Sequence, residues 1–300
     1  MTVSFRAGPR LAIVGATVAV SLSAIFIRLA GDDPATIVWA RMAMAATLLA
    51  PFAFRVRPRV DRARGRQPLL LILVSGILLA GHFLLWTASL QLTSIAASVL
   101  LVSMHPLLVT PLSLVLLRER TPLFAIGGMI IALAGVAVTC VGDLRLSGTA
   151  ITGDLLALGG AVCLAGYVLI GRGVRASVGV ARYSAVVYSV VAIVAAATVT
   201  AQGIAHLPSG RTAVYALALA VVCTLGGHTV YNWALRHVPA LTVSVAFLGE
   251  APLTSAFAVI VLATVPPLPT IIGGAIILVG LAMVVLAPSI RRAAPMVALE

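Results

Sequence analysis

The 300-residue chain carries the same stretch twice, 146 positions apart. Gly81-His82 pairs with Gly227-His228, Ser98 with Ser244, and Pro106-Leu107 with Pro252-Leu253. Gly127-Gly128 then pairs with Gly273-Gly274, and Ile130-Ile131 with Ile276-Ile277. Matches of Leu, Val or Ala carry little weight in so apolar a sequence, but Gly, His and Pro recurring at one offset do. The repeat divides the chain into two related halves, and that narrows both the fold and the function.

Composition sets the solvent. Hydrophobic residues make up 61% of the chain and charged ones 9%, against about 45–50% and about 25% in a soluble domain. No soluble core buries that much apolar side chain in this length. Cys140, Cys163 and Cys223 lie in apolar runs with no C-x-x-C spacing and read as small packing residues, neither disulfides nor metal ligands.

A helix crossing the hydrocarbon needs about 20 mainly apolar residues. The pattern predicts ten: 10–30, 34–54, 68–90, 94–117, 122–141, 151–171, 180–201, 211–236, 239–261 and 268–287. Short turns such as Arg118-Glu119-Arg120-Thr121-Pro122 and Val265-Pro266-Pro267 separate them. All twenty basic residues are Arg. With the N-terminus in the cytoplasm, sixteen fall inside: Arg6, Arg10, Arg55, Arg57, Arg59, Arg62, Arg64, Arg66, Arg118, Arg120, Arg172, Arg175, Arg182, Arg236, Arg291 and Arg292. Arg28, Arg145 and Arg211 fall outside, and Arg41 lies within a span. The positive-inside rule therefore places both termini in the cytoplasm. This distribution explains the net charge of +12 as topology control and argues against nucleic acid as a partner. The first span is too long for a signal-peptide core and carries Gly15, Ala19 and Ser23 at four-residue spacing, a small-residue packing face.

Five spans in each half, 10–141 and 151–287, is an odd number, so the second half enters the membrane from the opposite side. The expected fold is all-α and integral to the membrane, ten transmembrane helices in a 5+5 inverted-topology repeat. Transporters use such repeats to reach two conformations of similar energy around a site near the midplane.

Leu117-Arg118-Glu119-Arg120-Thr121-Pro122, followed by Ile126-Gly127-Gly128, Ile131 and Gly135-Val136, resembles the "G-E-R-x-T … I-G … I-x-x-G-V" pattern that closes an EamA repeat of the drug/metabolite transporter superfamily. The resemblance spans nearly the whole chain as two such units, and within the superfamily the chain is most similar to the YddG-type amino-acid exporters. The second half departs from the pattern, with Ala263-Thr264-Val265-Pro266-Pro267 in place of the Glu-containing turn. The resemblance implies export of small metabolites, amino acids and aromatic ones among them, across a bacterial cytoplasmic (inner) membrane.

Few polar residues stand deep within spans. Glu250 lies mid-span, where a charge costs roughly 2.5–3.5 kcal/mol on insertion scales, so it should face a cavity or a partner. It suits a substrate ammonium, a coupling proton or a protonated structural bond. Pro252 frees the Leu248 carbonyl beside it, and Pro106 repeats the device in the first half, with a second break expected at Pro111. His105 precedes Pro106 and suits a proton relay, a substrate carboxylate or an interhelical bond. His82 shares a helix face with Trp86, and His228 with Tyr231 and Asn232, faces that can line a chamber or simply pack. Arg41, near Trp39, can hold a carboxylate; snorkelling to the outer interface, with Trp39 in the aromatic belt, is the favoured expectation. Tyr167 is the weakest cavity candidate, with core packing expected.

No P-loop, H-E-x-x-H, G-x-S-x-G elbow or Cys/His cluster is present. No catalytic residue, cofactor or metal is expected. The anticipated partners are the lipid bilayer and a small-molecule substrate, with a monomer sufficient. Efflux of cationic drugs is the rival within transport. A membrane enzyme or a sensor subunit is the rival from another class, disfavoured by the absent catalytic motifs and soluble domain.

Overall fold

In hydrocarbon each backbone polar group must be paired within the protein, and a helix does this locally. Accordingly, every regular element in the computed structural model is helical among the described residues, which are 7–55, 67–93, 95–140, 148–204, 207–262 and 268–287. The first half comprises α1 (Ala7–Val20), α2 (Ser23–Ala30), α3 (Pro34–Arg55), α4 (Gln67–Leu92), α5 (Ile95–Val102), α6 (His105–Leu117) and α7 (Leu123–Cys140). The second comprises α8 (Gly148–Val174), α9 (Val180–Ala201), α10 (Gly210–Ala218), α11 (Thr229–Ala234), α12 (Ala240–Ala246), α13 (Glu250–Leu262) and α14 (Leu268–Leu286). A π-helical segment, Leu219–His228, joins α10 to α11, and a 3₁₀ turn, Phe247–Gly249, joins α12 to α13. The arginines at 57–66, Arg6, Arg145, Arg291, Arg292 and the 263–267 turn lie outside the described residues.

Seven helical stretches are long and apolar enough to cross a membrane; three apolar helices, His105–Leu117, Leu123–Val138 and Ile271–Leu286, are shorter. The expected span 94–117 is not one helix. It breaks at Ser103-Met104, just before Pro106, as the missing proline N–H demands. The second break expected at Pro111 does not occur, since α6 runs through it. Nor is the span 10–30 continuous: it turns at Ser21-Leu22, where no Gly or Pro stands. There the Ser21 hydroxyl donates to the Thr17 carbonyl at 2.6 Å, and the Ser21 carbonyl accepts from Thr254 of α13 at 2.7 Å. Such back-bonding by Ser bends helices.

The main packing joins one half to the other. The α7 helix lies along α14, α4 along α8 and α3 along α9, while α1 crosses the π segment and α6 meets α12. Small residues permit the closest of these approaches: a methyl on Gly135 would stand 2.7 Å from the Gly273 carbonyl oxygen, and one on Gly128 would stand 2.8 Å from that of Gly280. Large apolar side chains such as Val115, Leu123, Ile193 and Ile260 face outward, as lipid-facing positions should.

Candidate functional site

The broken helices converge. Pro106 has no N–H for the Val102 carbonyl four residues earlier, and the His105 ring takes that carbonyl instead, with Nδ1 3.1 Å from its oxygen. His105 is fully buried, its ring edge-on to Phe247 at 5.5 Å between centroids. Phe247 belongs to the 3₁₀ turn that precedes Glu250, so the proline breaks of the two halves meet at this contact.

Around it lies a small cavity lined by His82, Trp86, Ser103, His105, His228, Phe247 and Glu250, with Val20, Ser23, Val102 and Leu164. It has room for about a water molecule and is too tight for an amino acid. Five sequence candidates from α4, α6, α13 and the π segment thus share one space. His82 donates from Nδ1 to the Gly160 carbonyl at 3.1 Å and stacks parallel to Trp86. A β-carbon on Gly160 would make only ordinary contact with the α4 backbone, 3.5 Å from the His82 carbonyl oxygen. Four buried side-chain atoms of the lining have no hydrogen-bond partner: Trp86 Nε1, His105 Nε2, His228 Nδ1 and Glu250 Oε1. Buried polar groups are nearly always paired, so four orphans in one place mark a polar site.

Other candidates fall elsewhere. Tyr231 sits behind the lining, 4.4 Å from the Phe247 centroid, with its hydroxyl 2.9 Å from Thr17 Oγ1. Asn232, expected on the chamber face, is turned away: Oδ1 accepts from the Tyr167 hydroxyl at 2.6 Å and Nδ2 donates to Ser184 at 3.1 Å. Adjacent helix positions point about 100° apart, so Tyr231 and Asn232 do not share a direction. Tyr167 is buried in this second cluster and packs as expected.

Arg41 does not snorkel. It is 1% exposed, donates from Nε to Thr224 Oγ1 at 2.7 Å, and lies over the Phe83 ring at 4.4 Å. Thr224 lies in the π segment and donates to the Leu219 carbonyl five residues back, at 3.0 Å, while its oxygen accepts from Arg41. Phe83 in turn is edge-on to His228 at 5.1 Å, so the guanidinium stands one ring behind the cavity wall. Trp39 is half-buried against the same core. Sequence reasoning missed Phe83 and Phe247. The only signal for Phe247 was its spacing, three residues before Glu250.

A further polar cluster occupies the end of the bundle that bears most of the described arginines. Arg172 donates from Nη1 to the Leu235 carbonyl at 2.5 Å, and Arg175 from Nε to that of Asn232 at 2.9 Å. Burial, with the neighbouring charge of Arg236, pushes Arg175 down to about 10, so it stays protonated at neutral pH. At the opposite end Thr212 donates to Asp32 Oδ2 at 2.9 Å, Thr93 to Asp154 Oδ1 at 2.9 Å, and Arg211 from Nε to the Leu29 carbonyl at 2.6 Å.

The sequence signature of the EamA-like transporter family matches residues 9–141 and again 151–286. The chain belongs to this family. An EamA-like protein is a membrane transporter of small molecules rather than an enzyme, and Glu119 lies within the first matched segment. A solved structure titled only as the crystal structure of a protein is 20% identical to this EamA-like chain, with a TM-score of 0.75. The match covers 93% of this chain and 96% of that one, and at such identity it supports the fold alone. None of the curated proteins matches the sequence.

Proposed function

We propose that this chain is a secondary transporter that exports small metabolites, amino acids and aromatic ones foremost, from the cytoplasm by alternating access. On this reading ten membrane helices, three of them short, form two five-helix halves of opposite orientation, with both termini in the cytoplasm of a bacterium. A single copy suffices. The observation that carries the reading is the cavity between the halves, to which the first contributes His82, Trp86 and His105 and the second His228, Phe247 and Glu250. The pattern of packing agrees. Numbering each half's expected spans one to five, the second spans pack together, as do the fourth and the fifth. The third of each half packs on the first of the other. Exchanging the halves leaves this pattern unchanged, as a two-fold relation requires. Alternating access then requires the packing between the halves to loosen first on one side of the cavity and then on the other.

Purified protein in liposomes should release preloaded radiolabelled phenylalanine or tryptophan faster than protein-free liposomes. If no amino acid in a panel moved, that substrate class would be excluded. Efflux of cationic drugs is the second reading, favoured by the partnerless Glu250 Oε1. Cationic dyes in the same panel test it.

A further inference from the structure

The cavity's two hydrogen-bonded histidines have defined tautomers. A backbone carbonyl only accepts, so the nitrogens facing Val102 and Gly160, His105 Nδ1 and His82 Nδ1, must carry the protons. A neutral imidazole that donates from Nδ1 accepts at Nε2. His105 Nε2 is fully buried, without a partner, on a residue that lines the cavity. Glu250 Oε1, in the ionised carboxylate that a bound cation would favour, is a second enclosed acceptor without a partner, and His82 Nε2 is a third acceptor on the lining. Against them stands one orphan side-chain donor of fixed sense, Trp86 Nε1–H. The sense of His228 is open, because none of its nitrogens is tied to a carbonyl.

An acceptor-rich pocket selects a ligand rich in donors. Cations without N–H groups are held differently, by aromatic faces arranged as a cage. Here the lining instead presents buried polar atoms without partners, His105 Nε2 and Glu250 Oε1, which a cation lacking N–H groups cannot satisfy. Building on the transporter reading, we propose that the cavity recognises a primary ammonium group, which donates its three N–H bonds to Glu250 Oε1 and to the Nε2 atoms of His105 and His82. The proline break thereby gains a role in specificity: Pro106 strips the Val102 carbonyl of its partner, the carbonyl fixes the His105 tautomer, and the tautomer makes the pocket an acceptor. Each methyl added to the nitrogen removes one N–H and leaves a buried acceptor unpaired, which discriminates far more strongly than a change of volume.

The test is equilibrium binding to the detergent-solubilised full chain, by calorimetry, with two parents, L-phenylalanine and phenethylamine. Each is compared with its N-methyl, N,N-dimethyl and N,N,N-trimethyl derivatives. Affinity should fall at every methylation, by about 100-fold overall from the primary to the quaternary form. His105→Leu should shrink that ratio to about tenfold while leaving weak binding of the quaternary form unchanged. His105→Gln, whose amide oxygen can accept, should restore part of it. Equal or tighter binding of the quaternary forms, or no binding of either parent, would overturn the proposal. Binding with the expected order but without flux in liposomes would instead sink the exporter reading and leave this one standing.

Discussion

Arg172 donates its Nε–H to Glu119 Oε1 at 2.5 Å, while Oε2 of the same carboxylate accepts the backbone N–H of Ala240 at 3.1 Å. One side chain from the turn after α6 therefore ties the end of α8 to the start of α12. A carboxylate is well placed there, because the first N–H groups of a helix lack partners within it and carry partial positive charge. Glu119 is 7% exposed, so solvent weakens the pair little. The equivalent turn of the second half holds Val265 and no acid, so this carboxylate tie is not repeated from that turn. Glu119→Gln should weaken the tie and Glu119→Ala should abolish it, the latter lowering stability by about 2 kcal/mol. Exchanging the charges, Glu119→Arg with Arg172→Glu, should recover only part of the loss, since arginine cannot accept from Ala240. Thermal unfolding in detergent reads all three, and unchanged stability of Glu119→Ala would refute the tie.

Glu250→Gln removes a charge that burial penalises while keeping the side chain's shape. Its thermal stability should equal or exceed that of the parent, and its transport of amines should fall about 100-fold. Preserved flux, measured in liposomes, would remove Glu250 from the site.

Arg41 is tied to the π segment through Thr224. Thr224→Val deletes both the donor to the Leu219 carbonyl and the acceptor for Arg41 Nε, in a setting where Arg41 Nη2 already lacks a partner. A loss of about 1–3 kcal/mol should appear in thermal unfolding. Arg41→Lys should approach that loss, because an ammonium cannot both reach Thr224 and lie flat over Phe83 as the planar guanidinium does. Full stability of Arg41→Lys would show the planar contact to be dispensable.

Gly135→Val should separate α7 from α14. A β-carbon there would meet the Gly273 carbonyl and the Ile277 backbone nitrogen at 2.7 Å, and neither can rotate away. Overpacking of this kind costs about 1–3 kcal/mol, read by unfolding, whereas Gly15→Ala inside α1, with nothing within 4 Å of its added methyl, should stabilise by up to about 1 kcal/mol.

The devices that act along the chain were legible in the sequence. The repeat, the apolar spans and the break ahead of Pro106 follow from spacing and covalent geometry. The residues His82, Trp86, His105, His228 and Glu250, singled out as polar groups within spans, do line one cavity. What stayed hidden depends on partners far away in sequence. The turn at Ser21-Leu22 has its carbonyl satisfied from Thr254, 233 residues on. Arg41 reads as an interfacial charge until Thr224, 183 residues on, offers its hydroxyl oxygen as an acceptor. Asn232 was misplaced for a local reason, the angular step between neighbours, and Pro111 because a proline can sit in a bent helix without breaking it.

The opposed orientation of the halves is tested most directly at Gln91 and Arg236, exposed residues ending α4 and following α11, one position out of register at the repeat offset. Gln91→Cys and Arg236→Cys, each made in a background lacking Cys140, Cys163 and Cys223, can be challenged in intact cells with a membrane-impermeant maleimide. The inverted repeat predicts that Gln91→Cys labels at once and Arg236→Cys only after the membrane is permeabilised. Labelling of both from the same side would contradict it.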